Sequence, residues 1–118
     1  MSDGLRPAQR EAIRRLFTEF PKVERVVLFG SRAMGNWSEG SDIDLALFGD
    51  ELQLRDELRI AARLEDLALP VRADLVRYGV ADEALQLHIA RRGLELFLKP
   101  RIGTLAEPGA AVDGGSAQ

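Results

Sequence analysis

The amino-acid sequence predicts an α/β (α+β) domain in which a small mixed sheet is flanked by helices. Two features of the 118 residues support this fold class: stretches with apolar residues at helical spacing, and short apolar or alternating stretches bounded by glycine or proline. These stretches follow one another in the order helix, strand, strand, helix, strand, helix, strand. A chain of this length has room for one hydrophobic core, so we expect a single folded domain.

The first half of the chain contains a helix and two strands by this reasoning. Residues 7–20 carry apolar side chains at helical spacing, and Pro21 follows where such a helix stops. Residues 26–29 are β-branched or apolar and are followed by Gly30, which is typical of a buried strand. Residues 42–48 alternate between apolar side chains and Asp or Ala, which is the period of a second strand.

The second half of the chain continues the alternation. Gly49 ends the second strand, and Asp50 is the predicted N-cap of the next helix. Residues 71–78 predict a third strand, residues 81–92 a further helix, and residues 94–98 a last short strand. The apolar stripe of the helix after Asp50 is predicted to consist of Leu54, Leu58, Ala61, Leu64 and Leu67.

The C-terminal residues have a different composition from the rest. Residues 100–118 contain four glycines, two prolines and few side chains that could be buried, so they predict a disordered tail. The folded domain is therefore expected to span residues 1–99.

Composition and charge limit the classes of function. The chain has no cysteine and one histidine, His88, which excludes disulfide scaffolds, thiol catalysis and multi-histidine metal centres. Any bound metal must therefore be held by oxygen ligands. Sixteen basic and nineteen acidic residues give a net charge of −3, which disfavours nucleic acid as the main partner. No apolar stretch resembles a membrane span or a secretory signal, so we expect a soluble cytoplasmic protein.

Two aspartates at the start of the second predicted strand are candidate metal ligands. Asp42 and Asp44 are two residues apart, so their side chains leave the same face with Cα atoms roughly 6.5 to 7 Å apart. This arrangement suits carboxylates that converge on hard divalent cations. Without a cation, the two like charges would repel and burial would raise their pKa values. A divalent metal is the simplest compensation.

A candidate phosphate-binding corner follows the first predicted strand. Gly30 permits close backbone approach, and the Ser31 hydroxyl can donate to a phosphate oxygen. Residues 31–34 are predicted to begin a helical turn whose free N–H groups attract an anion. Arg32 adds a cationic side chain nearby. Trp37, farther along the same loop, is more simply explained by packing against its own domain than by stacking on a base.

The segment FGSRAMGNWSEGSDIDLALF resembles the signature of minimal nucleotidyltransferases of the DNA polymerase β superfamily, which is Gly-Ser, a spacer, then Asp-x-Asp. The resemblance covers residues 26–98 and is strongest to the bacterial MNT proteins that are paired with small helical HEPN proteins in toxin–antitoxin modules. It implies a polymerase-β-like fold in which Mg²⁺, as two ions, and ATP bind. One departure is Met34, where the family often has a second basic residue.

The same resemblance assigns roles to individual residues. Gly30 and Ser31, with Arg32 and Ser41, would bind the nucleotide, and Asp42 and Asp44 would bind Mg²⁺. The family also needs a third carboxylate on a later strand.

Asp74 is the only acid in residues 71–76, and the period of a strand places it on one face with Arg72 and Val76. By resemblance, Asp74 would complete the metal site and receive the proton of the attacking hydroxyl. Arg72 could contact phosphate or pair with an acid.

The resemblance implies transfer of AMP from ATP to an acceptor hydroxyl, with a HEPN-type partner as the expected acceptor. Two other functions stay open: a binding module that neutralises its partner by contact alone, and a nucleotidyltransferase acting on a small molecule such as an antibiotic. An RNA end as acceptor and self-association of the chain are also open. Asp-x-Asp phosphatases and glycosyltransferases are disfavoured, because neither predicts Gly-Ser before the acids.

Overall fold

The structure, a computed structural model, describes residues 3–100, and its main helices and strands follow one another in the predicted order, with one short helix between the first two strands. The elements are α1 (Pro7–Phe17), β1 (Arg25–Phe29), α2 (Ser31–Met34), β2 (Ile43–Phe48), α3 (Leu54–Asp66), β3 (Ala73–Arg77), a 3₁₀ turn (Tyr78–Val80), α4 (Glu83–Arg92) and β4 (Leu94–Leu98). The predicted tail lies, from residue 101 onward, outside the described residues. Within residues 3–100 no helix combines the length and the apolar character needed to cross a membrane.

The four strands form one mixed sheet in the order β3-β2-β1-β4. Strand β1 is antiparallel to both of its neighbours, whereas β2 and β3 are parallel. The end of β1 therefore lies beside the start of β2, where Phe29 pairs with Asp44, and beside it lies the start of β3. The predicted small mixed sheet flanked by helices is confirmed.

Helices cover both faces of this sheet. Helices α1 and α3 cover one face and form the main core, which includes Ile13, Phe17, Leu28, Leu45 and Ile60. Helix α4 covers the opposite face, where Ile89 packs with Val27 and Ala46. Because side chains alternate along a strand, β2 directs Ile43, Leu45 and Leu47 into the main core. Asp44 therefore faces the α4 side.

Helix α3 differs from its prediction in two ways. Its N-cap is Gln53, not Asp50, and the Gln53 N–H donates to the Asp56 carboxylate at 2.8 Å. The predicted stripe is wrong at its beginning, because Leu54 and Leu58 are 54% and 60% exposed. The buried side chains of this helix are Asp56, Ile60 and Leu64. Two apolar stripes overlap in this sequence, and the core selects the one that runs through Ile60.

The other boundaries shift by a few residues. Helix α1 ends at Phe17, because residues 18–20 form turns whose N–H groups bond back to Arg15, Leu16 and Phe17 carbonyls. Helix α4 begins at Glu83, and its N-cap Asp82 accepts a hydrogen bond from the Leu85 N–H at 2.8 Å. Strand β3 is shorter than predicted, because Tyr78 already belongs to the 3₁₀ turn. Strand β4 has the predicted bounds.

Candidate active site

The register of the sheet brings the three predicted acids together. Asp44 on β2 is the direct partner of Asp74 on β3. Asp42, predicted as the first residue of this strand, is the residue before β2, and it lies in the same cluster because Arg72 contacts both Asp42 and Asp74. Side chains of all three are partly exposed, so the cluster is open to solvent. The structure thus forms a group of carboxylates where two parallel strands begin.

The electrostatics of the cluster show an excess of negative charge. Burial, and then the charges of Asp74 and Asp42, raise the pKa of Asp44 above its ordinary value, while Arg72 opposes this effect. A raised carboxyl pKa means that the ionised form is disfavoured at this position. A cation placed among the three carboxylates would relieve the repulsion.

Arg72 is the cation that contacts these acids in the structure. Its guanidinium lies 3.2 Å from Asp74 Oδ1 and 3.8 Å from Asp42 Oδ2. Hydrogen bonding and charge from Asp74, followed by the charge of Asp42, raise the pKa of Arg72. The side chain is 75% exposed, so it can leave the cluster without disturbing the core. Of the two roles predicted for Arg72, pairing with an acid is confirmed.

The residues of this cluster fit a magnesium ion by their chemistry. Mg²⁺ prefers oxygen ligands and commonly binds through one or two carboxylates together with substrate phosphates. Among residues 3–100, the side chains do not form a ready-made group of three or more metal ligands. Asp42, Asp44 and Asp74 are nevertheless adjacent, share excess negative charge and already attract the Arg72 cation. These are the residues that would hold Mg²⁺.

Gly30 brings the end of β1 against the carboxylate of Asp44. Its backbone has φ +78° and ψ −156°, a combination that residues other than glycine rarely adopt. A Cβ at this position would overlap Asp44 Oδ2 and lie 3.3 Å from Asp44 Cγ. Ser31 follows as the first residue of α2, and the Gly30 carbonyl accepts a hydrogen bond from the Met34 N–H at 3.1 Å. The predicted phosphate corner therefore lies directly beside the acid cluster.

Arg32 and Ser41, predicted to bind the nucleotide, are engaged within the protein. Arg32 is 5% exposed, and its Nε donates to the Ser41 carbonyl at 3.1 Å. The guanidinium carbon lies 5.1 Å from the centre of the Trp37 ring, which confirms that Trp37 packs against its own domain. The Ser41 hydroxyl accepts a hydrogen bond from the Ser38 N–H at 2.8 Å. Both residues make contacts that hold the loop between β1 and β2.

Sequence reasoning missed the N-terminal residues that contact this loop. A second nitrogen of Arg32 donates to the Asp3 carbonyl at 3.1 Å, and Gly4 approaches both Arg32 and Trp37 closely. The sequence carries only a weak signal of this contact. Asp3-Gly4 indicates no more than a turn before a helix, and the group of Asp3 that accepts the Arg32 hydrogen bond is its backbone carbonyl.

Comparison with known proteins places the fold and site in context. The model of the family described as "Polymerase beta, Nucleotidyltransferase" matches residues 11–101. The protein adenylyltransferase MntA of Aphanizomenon flos-aquae (strain 2012/KM1/D3) is 50% identical over 42 residues, which are 36% of this chain. That match spans 28% of the length of MntA, a little over a quarter.

Several solved structures resemble most of this chain, and two of them are relevant to the site. A crystal structure of a toxin–antitoxin with AMP-PNP has 28% identity and a TM-score of 0.66, covering 76% of this chain and 73% of the other. The tri-AMPylated Shewanella oneidensis HEPN toxin in complex with MNT antitoxin contains a chain with 26% identity and a TM-score of 0.60, covering 76% and 70%. The family match extends over most of the chain and includes every residue of the acid cluster and of the Gly30–Ser31 corner. This protein belongs to the polymerase β nucleotidyltransferase family.

Proposed function

We propose that this chain is a Mg²⁺-dependent adenylyltransferase that moves AMP from ATP to a hydroxyl of a small helical HEPN-type partner. The observation that carries the proposal is the pairing of Asp44 with Asp74 across β2 and β3, with Asp42 joined to them through Arg72 and Gly30 against Asp44. Three carboxylates can hold the metal ions that accompany a triphosphate, and the glycine corner lies next to them.

Gly30 and Ser31 have the role of holding the triphosphate. Glycine lets the phosphates approach the backbone closely, and Ser31 presents its hydroxyl and N–H at the start of α2. The resemblance to a toxin–antitoxin structure with AMP-PNP supports ATP as the nucleotide. The hydrogen bond from Arg32 Nε to the Ser41 carbonyl supports the loop that begins at this corner.

The three acids divide the remaining work. Asp42, Asp44 and Asp74 would hold Mg²⁺, which would neutralise charge on the triphosphate. In the reaction, the acceptor oxygen forms a bond to the α-phosphorus of ATP, and the bond from that phosphorus to pyrophosphate breaks. The proton of the acceptor hydroxyl passes to the carboxylate of Asp74. Arg72 must release Asp42 and Asp74 before these groups can act.

A protein acceptor suits the openness of the site. The side chains of Asp42 and Asp74 are 42% and 44% exposed, so a hydroxyl presented on the surface of another molecule can reach them. A domain of this size has little surface left to hold the acceptor in line with the α-phosphate, and a partner would supply that positioning. The AMPylated HEPN toxin found with an MNT antitoxin supports a partner of this class.

The test is to mix the purified protein with the product of the adjacent gene, ATP and Mg²⁺, and to follow the intact mass of both chains. We expect AMP on the partner with the wild-type protein and none with Asp44→Asn. Asp50→Asn, which changes an exposed aspartate outside the site in the same way, is the matched control and should transfer normally. A tight complex without added mass would favour the binding module, and neither complex nor added mass would favour a small-molecule acceptor.

A further inference from the structure

The loop that joins the two halves of the signature is held from the N-terminal side of the domain. This loop runs from Ser31 to Ser41, so it begins in the phosphate corner and ends at the residue before Asp42. Within the loop, the Asn36 N–H bonds to the Ser31 carbonyl at 3.2 Å, and the Ser41 N–H bonds to the Ser38 carbonyl at 3.0 Å. These turns shape the loop, but its attachment to the rest of the domain needs other contacts.

Arg32 provides one such attachment. Its Nε bond to the Ser41 carbonyl fixes the peptide that precedes Asp42, while its backbone follows Ser31 directly. Arg32 therefore connects the phosphate corner to the first metal-binding acid across the loop. A buried guanidinium is costly unless it is hydrogen-bonded, and here the compensation comes from backbone carbonyls and the face of Trp37.

The second carbonyl belongs to the N-terminal segment. Asp3 lies 29 residues before Arg32, and its carbonyl accepts the other hydrogen bond of the guanidinium at 3.1 Å. Asp3 is itself buried, and its carboxylate binds the Arg10 guanidinium of α1 and accepts the Leu5 N–H at 3.0 Å. The segment is therefore anchored to α1 on one side and contacts Arg32 on the other.

Gly4 allows this segment to pack closely. Its φ of +80° is in the left-handed region, and a Cβ would overlap a terminal nitrogen of Arg32 and lie 2.8 and 2.9 Å from two Trp37 ring atoms. The backbone of Gly4 thus occupies a space in which no side chain fits.

We propose that Asp3, Gly4, Arg32 and Trp37 form an N-terminal latch that positions the Ser31–Ser41 loop for nucleotide binding, so that Arg32 is a positioning residue and not a phosphate ligand. The latch explains why a cation within the signature is buried against backbone carbonyls and the Trp37 ring. That the loop binds a nucleotide rests on the proposed function, whereas the proposal that the latch holds the loop does not.

The test compares AMP-PNP binding, in the presence of Mg²⁺, among full-length variants by calorimetry well below each unfolding midpoint. Gly4→Ala and Arg32→Lys should each weaken binding about tenfold, which is about 1.4 kcal/mol. Lysine keeps the charge but cannot bridge two carbonyls and stack on Trp37 as a guanidinium does. The double variant should be no more than about twofold weaker than the weaker single variant, because both changes open the same latch.

Two matched controls change similar residues outside the latch. Gly40→Ala alters the same loop where no atom lies within 4 Å of the new Cβ. Arg14→Lys alters an arginine whose Nε also donates to a carbonyl, that of Leu96 at 2.8 Å, which is not a latch residue. Both controls should bind AMP-PNP within about twofold of the wild type.

Hydrogen exchange of the free protein provides a readout that needs no nucleotide. Gly4→Ala and Arg32→Lys should accelerate amide exchange in residues 33–41, and the controls should not. If Arg32→Lys does not fold, Gly4→Ala and Trp37→Leu carry the same comparison.

Three results would overturn the latch. Normal binding by Gly4→Ala with weak binding by Arg32→Lys would identify Arg32 as a direct ligand. An additive double variant, about a hundredfold weaker, would mean independent effects. Unchanged exchange in residues 33–41 would show that the segment does not hold the loop. A wild-type protein that does not bind AMP-PNP would instead refute the proposed function, and the exchange comparison would still decide the latch.

Discussion

Gly30→Ala is expected to lower both the thermal midpoint and the rate of nucleotidyl transfer, because two features of the site depend on this glycine. Its φ of +78° and ψ of −156° lie in a region that is essentially restricted to glycine. The added Cβ would also overlap the Oδ2 atom of Asp44, the acid paired with Asp74. The substitution therefore both strains the backbone and displaces a carboxylate of the proposed metal site.

The size of each effect follows from these two features. Backbone strain of this kind costs about 1–3 kcal/mol, and each kcal/mol lowers the midpoint of a domain of this size by about 4–8 °C. We therefore expect a fall of roughly 4–24 °C. Moving the Asp44 carboxylate by about 1 Å is expected to slow transfer on the order of a hundredfold, since reacting groups must be closely aligned.

The assay combines a thermal melt with a single-turnover measurement of AMP transfer, made below the midpoint of the variant. Gly40→Ala is the control. It makes the same substitution at the other end of the loop that follows Gly30, where the space around the new Cβ is open. It should melt within a few degrees of the wild type, as exposed substitutions do. Wild-type transfer by Gly30→Ala would refute the close packing of Gly30 on Asp44, and an unchanged midpoint would refute the assigned backbone conformation.

Three further predictions concern single roles. Ser31→Ala should weaken ATP binding by about 1–3 kcal/mol by removing a phosphate donor, as measured by calorimetry; unchanged affinity would count against the phosphate corner. Asp74→Asn should keep Mg²⁺-dependent ATP binding but lose transfer, since the proton acceptor is gone; transfer at the wild-type rate would contradict its assignment. Deleting residues from Gly103 onward should leave the midpoint nearly unchanged in a thermal melt, because these residues offer little apolar surface to bury; a large fall would show that they pack.

The elements with a single dominant pattern could be predicted from the sequence. Ile43, Leu45 and Leu47 alternate with two aspartates and an alanine, which leaves one face for the core and the other for the acids. The same period placed Asp74 on a face compatible with Asp44, and the sheet register confirms that they are partners.

Features that depend on tertiary contacts could not be predicted in this way. Leu54 and Leu58 fit a helical stripe as well as Ile60 and Leu64 do, and only the neighbouring helix α1 and sheet decide which stripe is buried. The position of Arg32 depends on the carbonyls of Asp3 and Ser41. Backbone carbonyls are common to all residues, so a sequence carries no signal of which ones a buried guanidinium will find.

The most direct test of the proposed chemistry uses ATP labelled either at the α-phosphate or at the γ-phosphate, incubated with the protein, Mg²⁺ and the purified partner. Adenylyl transfer by the acid cluster predicts that α-label appears on the partner, that γ-label leaves as pyrophosphate, and that Asp44→Asn transfers neither. Transfer of γ-label to the partner, or α-label transfer that persists in Asp44→Asn, would contradict an adenylyltransferase built on Asp42, Asp44 and Asp74.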